Sequence, residues 1–169
     1  MNQMPESEQK EIFHKWLKDY KGLLFKVIRA YAFNQDDRED LFQEITIQIW
    51  NSIPNFRGDS AESTWVYKVA LYCAISWVKK ENKHSNAKQS LDDVGHLLTE
   101  ISSFKDSRLD WLYNQIAKLN EIDRSLTLLL LDGYSYKEMA SMLGISESNV
   151  GVKINRIKKY LKQKSLEDF

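Results

Sequence analysis

Asn155 and Arg156 stand side by side at the end of the stretch YKEMASMLGISESNVGVKINR, Tyr136 to Arg156. Their chemistry is recognition rather than bond-making. A carboxamide can bridge the major-groove edge of adenine, and a guanidinium that of guanine, each through paired hydrogen bonds. Glu147, Ser148, Gly151 and Val152 fall on the same side of the pattern, and Lys159 follows them where a phosphate would lie. Ser146, Asn149 and Lys153 complete a candidate DNA-binding set. Chemistry of the other kind is hard to find. No nucleophile–base pair and no Gly-rich phosphate loop is present. Cys73 is the single cysteine, and His14, His84 and His96 lie too far apart for ligand spacing. Neither an enzyme nor a metal site is expected, and no cofactor is implied.

Two short helical patterns must hold the reading residues in place. Met139, Ala140 and Leu143 form the inner face of the first. Gly144 suits its C-terminal end, where a left-handed backbone costs glycine least. Ile145 plugs the corner, and Ser146 is a good N-cap for the second helix. Val150, Ile154, Ile157 and Leu161 then step by four, three and four as one buried stripe. Alanine, glycine and valine at these intervals are what a tight helix-turn-helix requires. The plainer reading is a helical hairpin with a solvated basic end.

The chain has 169 residues, 43% hydrophobic and 28% charged, as in a soluble globular protein of one or two small domains. No apolar run suggests a membrane span, and the N-terminus lacks the pattern of a signal peptide. A cytoplasmic protein is expected. Net charge is zero but unevenly spread. Residues 117–169 carry 9 basic and 7 acidic side chains; residues 1–81 carry 11 and 12. Lys153, Arg156, Lys158, Lys159, Lys162 and Lys164 occupy one acid-free run, whereas Asp36, Asp37, Glu39, Asp40 and Glu44 form an acidic pole. Two partners of different charge are implied.

Few glycines and prolines leave room for long helices. Phe13, Trp16, Leu17, Tyr20, Leu24, Val27, Ile28 and Tyr31 predict one amphipathic helix over about Glu8 to Ala32. Asp36 and Asp37 suit the start of a second helix, with Leu41, Ile45 and Ile49 inward and Asp40, Gln43, Glu44 and Gln48 outward. Pro54 and Gly58 make the segment NSIPNFRGDS a loop. A third helix follows over about Ala61 to Lys80, with Trp65, Val69, Cys73 and Trp77 on one face and Lys79 and Lys80 at its end. Trp65 and Trp77 are expected mainly in the core, and Tyr67 and Tyr72 as exposed aromatics. Periodicity fades over 82–107, predicting a linker, and returns at Leu109, Leu112, Ile116 and Leu119. Asn120 caps the next helix, which ends at Asp132-Gly133. The expected fold is all-α: two small helical domains, residues 8–81 and 108–164, joined by a flexible linker.

Taken together, these segments resemble sigma-70-family factors of the extracytoplasmic-function group. The stretch from Leu119 to Leu161 looks like region 4, DREDLFQEITIQIWNSI like the core-binding helix of region 2, and FRGDSAESTWVYKVALYCAISWVKK like its promoter-melting segment. The resemblance implies a bacterial RNA polymerase initiation subunit. Region 2 would dock on the largest polymerase subunit through Asp37, Asp40, Leu41, Gln43, Glu44, Ile47 and Gln48. It would open the minus-ten element, with Phe56, Arg57, Gly58, Asp59 and Ser60 edging a pocket for a flipped base. Tyr67, Lys68 and Tyr72, with Trp65 beside them, would extend the single-strand surface, and Lys79 and Lys80 would hold phosphates. Region 4 would read the minus-thirty-five element and meet the second-largest subunit. An anti-sigma protein, commonly membrane-anchored, is a further implied partner. The chain carries Asn120, Asn149, Gly151, Tyr72 and Ser76 where the family more often has other residues. A stand-alone helix-turn-helix regulator is the alternative, and a purely protein-binding helical protein a third.

Overall fold

The computed structural model describes residues 3–81 and 106–169, so the body of the expected linker lies outside the described residues. The chain divides between Lys105 and Asp106 into two compact units. Among the described residues every regular element is helical, so the expected all-α, two-domain architecture holds.

The N-terminal unit contains α1 (Glu6–Asp19), α2 (Lys21–Tyr31), α3 (Gln35–Ser52), a 3₁₀ turn (Ile53–Asn55) and α4 (Glu62–Glu81). The predicted single helix over 8–32 is therefore two. Its hydrophobic rhythm is continuous, but Tyr20 leaves helical geometry at φ −111° and ψ 19°. The bend lets one apolar stripe serve two surfaces. α1 lies against α3 and the 3₁₀ turn, while α2 lies against α4. A straight helix could not follow both.

α4 is the centre of this unit. Val66, Tyr67, Ala70, Leu71, Ala74 and Ile75 are buried on it, packed on α2 and α3. Leu24, Val27, Ile28 and Tyr31 come from α2, and Leu41, Phe42, Ile45 and Ile49 from α3. Each such side chain contributes about 1.5–3 kcal/mol on transfer from water. α3 begins as expected: the Asn34 side chain accepts from the Asp37 N–H, and Asp36 and Asp37 sit in the first turn, where the helix dipole favours negative charge.

The C-terminal unit contains α5 (Ser107–Ala117), α6 (Glu121–Leu131), α7 (Tyr136–Leu143) and α8 (Glu147–Asp168). Asn120 caps α6 through the Asp123 N–H, as expected, and Gly133 adopts a left-handed φ of 84° just after it. Arg124 fastens the α5–α6 corner by donating to the carbonyls of Leu119 and Ala117. Ser135 and Glu138 form a reciprocal capping box at the start of α7. Gly144, at φ 67°, ends that helix, and the N–H groups of Gly144 and Ile145 both reach the Ala140 carbonyl. Ser146 then caps α8 by accepting from the Asn149 N–H at 3.0 Å. The predicted stripe holds: Val150, Ile154 and Ile157 are buried, while Leu161 is half-buried.

Candidate polymerase and promoter interface

In the C-terminal unit the corner turns one face of α8 outward. Glu147, Ser148, Asn149, Val152, Asn155, Arg156 and Lys159 are all exposed. They start at the N-terminus of the helix, where free N–H groups and the dipole favour an anion such as phosphate. Val152 is 58% exposed and sits amid this polar face. A solvated apolar side chain there suits contact with a thymine methyl group.

Three members of the sequence-derived set play other parts. Lys153 is turned inward: its ammonium lies 3.7 Å from Asp123 Oδ1, with side-chain exposures of only 20% and 13%. Its place beside the Val150–Ile154 stripe explains why, and its charge is engaged within the unit. Gly151 is half-buried at the edge of the face, where an added Cβ would lie 3.7 Å from the Tyr136 ring. Ser146 is exposed, but its hydroxyl oxygen is engaged as the cap.

In the N-terminal unit, α3 and α4 form a groove of about 580 Å³. Lys68, Tyr72, Ser76 and Lys80 line one wall in steps of four. Glu44, Gln48, Asn51 and Asn55 line the other in steps of four, three and four. Trp65 and Trp77 complete it. Tyr72 is 44% exposed, and the Lys68 ammonium lies 5.9 Å from its ring centre. Cys73 forms part of the groove, and its thiol is pushed up to about 12, chiefly by burial and then by the Glu44 charge.

Several N-terminal expectations need correction. Tyr67 is 1% exposed and cannot stack on a base. It points into the middle of the unit because α4 is covered on two sides, not one. Leu41 is fully buried, so it supports α3 from within rather than meeting a partner. Asp40 is half-buried, and its Oδ2 accepts from Trp77 Nε1 at 2.7 Å, so part of its charge serves the fold. Phe56 is no free pocket edge: its ring lies against Trp16 and Trp65, with centroids 5.4 and 5.5 Å away. Trp77 is core, as expected, whereas Trp65 is half-buried and donates to Ser52 Oγ.

The remaining residues are presented to solvent. Arg57, Gly58, Asp59 and Ser60 are exposed, with Gly58 at a left-handed φ of 79°. Lys79 and Lys80 are exposed at the end of α4. On α3, Ile47 is 49% exposed, Gln48 is exposed, and Asp37, Gln43 and Glu44 are half-buried. Asn51 and Asn55 are groove residues that the sequence motifs do not single out, and Ser76, noted there only as a departure from the family pattern, joins them. Their signal is nonetheless present: each extends a polar stripe of helical spacing. Asp123 and Tyr136, which brace α8, carry no comparable signal.

The N-terminal unit thus presents a polar and aromatic groove, and the C-terminal unit a helix-turn-helix with an exposed basic helix. Comparison with known proteins agrees. The Sigma-70 region 2 model matches residues 16–84, and the Sigma-70, region 4 model matches residues 109–161. The chain is 28% identical over 166 residues to the ECF RNA polymerase sigma factor SigX of Bacillus subtilis, covering 90% of this chain and 83% of that one. It is 25% identical over 167 residues to the ECF RNA polymerase sigma-E factor of Haemophilus influenzae, covering 92% and 88%. The fold is similar to that of the sigma factor RpoE of Bartonella quintana, solved with the anti-sigma factor NepR. That likeness has a TM-score of 0.68, 16% identity and coverage of 91% and 96%. CnrH, solved with the cytosolic domain of CnrY, gives a TM-score of 0.64 at 18% identity, covering 95% and 91%. The chain belongs to the sigma-70 family, in the extracytoplasmic-function group.

Proposed function

We propose that this chain binds core RNA polymerase and directs initiation at promoters that it grips at two elements. The observation that carries the reading is the exposed face of α8, which pairs Asn155 and Arg156 with a capped, dipole-positive helix start. That face would read the minus-thirty-five element in the major groove, with Lys159 on a phosphate. The minus-ten element would be opened by the N-terminal unit. The loop Arg57–Ser60 would receive a non-template base. Tyr72, Lys68 and the groove wall would guide the single strand, and Lys79 and Lys80 would hold its backbone. Aromatic stacking and cationic contacts suit a strand whose bases are exposed.

Docking on the largest polymerase subunit is assigned to the outer side of α3: Asp37, Asp40, Gln43, Glu44, Ile47 and Gln48. The C-terminal unit would meet the second-largest subunit. The protein contributes no catalytic step, and the polymerase performs the chemistry. An anti-sigma protein that covers these surfaces would hold it inactive in the cytoplasm. A structural relative solved with an anti-sigma factor supports that assignment.

The test is run-off transcription on genomic fragments with purified core polymerase. Discrete transcripts that require both the chain and the polymerase are expected. Tight operator binding by the chain alone, with no polymerase dependence, would instead make it a stand-alone regulator.

A further inference from the structure

Among the described residues, the loop from Phe56 to Ala61 carries little of its own support. Arg57 to Ala61 are exposed, and the Ser60 hydroxyl donates only to the neighbouring Ala61 carbonyl, at 3.3 Å. Its two ends are held from elsewhere, by α1 and by Tyr20 at the bend where α1 ends. At the entrance, Trp16 of α1 meets Phe56 edge-on, with ring centroids 5.4 Å apart at 83°. Gln9 of α1 donates to the Trp50 carbonyl at 2.8 Å, and Phe13 packs edge-on against the Trp50 ring at 5.4 Å. Trp50 lies in the last turn of α3, just before the loop. At the exit, the Tyr20 hydroxyl donates to Glu62 Oε2 at 3.2 Å, and the Lys15 ammonium lies 3.3 Å from the same oxygen. Glu62 is the first residue of α4.

α1 therefore fixes the separation and direction of the two loop ends. We infer that α1 is the strut that sets the geometry of the 56–61 loop, with Trp16 and Tyr20 as positioning residues for the base it accepts. The inference rests on the reading of that loop as a base-receiving site.

Two details favour positioning over mere filling. Trp16 is 1% exposed, yet its Nε1 has no hydrogen-bond partner among the described residues. A buried, orphaned donor is a cost that phenylalanine would avoid, so the larger ring is explained by its reach to Phe56. The Tyr20 phenol is held above its ordinary value by burial and then by its hydrogen bond to Glu62. The Lys15 contact is more exposed and supplies less.

The experiment uses holoenzyme reconstituted from the full chain and core polymerase. Templates are the promoter recovered by run-off and versions of it with one minus-ten base replaced. Glu62→Ala and Tyr20→Phe are expected to lower the preference for the cognate base by roughly ten- to a hundredfold, the upper end being what a misplacement of about 1 Å can cost in rate. Core affinity and minus-thirty-five duplex binding should not change. Glu62→Gln, which still accepts from Tyr20, should restore most of the preference. Trp16→Phe should act like Tyr20→Phe, with its fold checked by thermal melting. An equal fall on every template, or an unchanged preference, overturns the inference while leaving the loop's base-reading role standing. A wild-type holoenzyme indifferent to the minus-ten base would remove both.

Discussion

In the C-terminal unit one helix carries nearly the whole candidate reading surface. In the N-terminal unit the candidate surface is assembled from α3, the loop and α4, with α1 bracing it from behind. On α8, inward and outward residues alternate with helical rhythm because only one side is covered. Val150, Ile154 and Ile157 are buried, while Ser148, Val152, Asn155 and Arg156 are exposed. On α4 the rhythm is blurred, because helices cover it on two sides, and the groove is lined by the polar wall of Lys68, Tyr72, Ser76 and Lys80 together with Trp65, Val69, Cys73 and Trp77. A site on one amphipathic helix can be read from spacing. A site built from several elements needs the packing.

That contrast can be broken most sharply at adjacent turns of α4. Tyr67→Ala is expected to cost about 3–5 kcal/mol of stability, as emptying a large aromatic site in a core usually does. Tyr72→Ala should stay within about 0.5 kcal/mol, as exposed positions do, while weakening promoter opening. Urea unfolding followed by circular dichroism measures the first effect, and permanganate footprinting on the holoenzyme the second. Equal stability losses would return Tyr67 to the surface.

The next largest effect concerns the groove. With its thiol raised from 9.0 to about 12, Cys73 should carry about a thousandfold less thiolate at neutral pH than an unshifted thiol. Iodoacetamide should therefore label it far more slowly in the native chain than in urea. The sign for stability follows. Folding favours the neutral thiol, so this contribution is intact below about pH 9 and is lost as pH rises toward about 12.

For α8, Arg156→Ala should cost about 1–3 kcal/mol of promoter affinity and relax selection at one minus-thirty-five position. Lys159→Ala should weaken binding to all sequences alike and reduce the salt slope by about 1. Lys153→Ala should leave that slope unchanged, because its ammonium already faces Asp123. Titrations of holoenzyme on promoter duplex at several salt concentrations separate the three. Ser146→Ala should cost about 1 kcal/mol of stability from the lost cap, seen as a lower melting temperature.

Much of this is legible in the residues alone. The caps at Asn34, Asn120 and Ser146, the glycine ends at Gly133 and Gly144, and the α8 stripe all depend on residues a few positions apart. The same is true of the break at Pro54, where the chain leaves α3 through a 3₁₀ turn. The bend at Tyr20 is not legible in that way, because the surfaces it serves, on α3, the 3₁₀ turn and α4, come later in the chain. Nor is the inward turn of Lys153, whose partner Asp123 is on another helix.

By itself the sequence determined the all-α character, the two helical units, the helix-turn-helix corner and the family, because local capping, turn chemistry and 3.6-residue periodicity are short-range properties. Only the tertiary structure decided which aromatics are free. Tyr67, Tyr72, Trp65 and Phe56 are similar as residues; packing buries the first, exposes the second and commits the other two to ring contacts. Burial is a property of what lies on the far side of a helix, and spacing along one chain segment does not contain it.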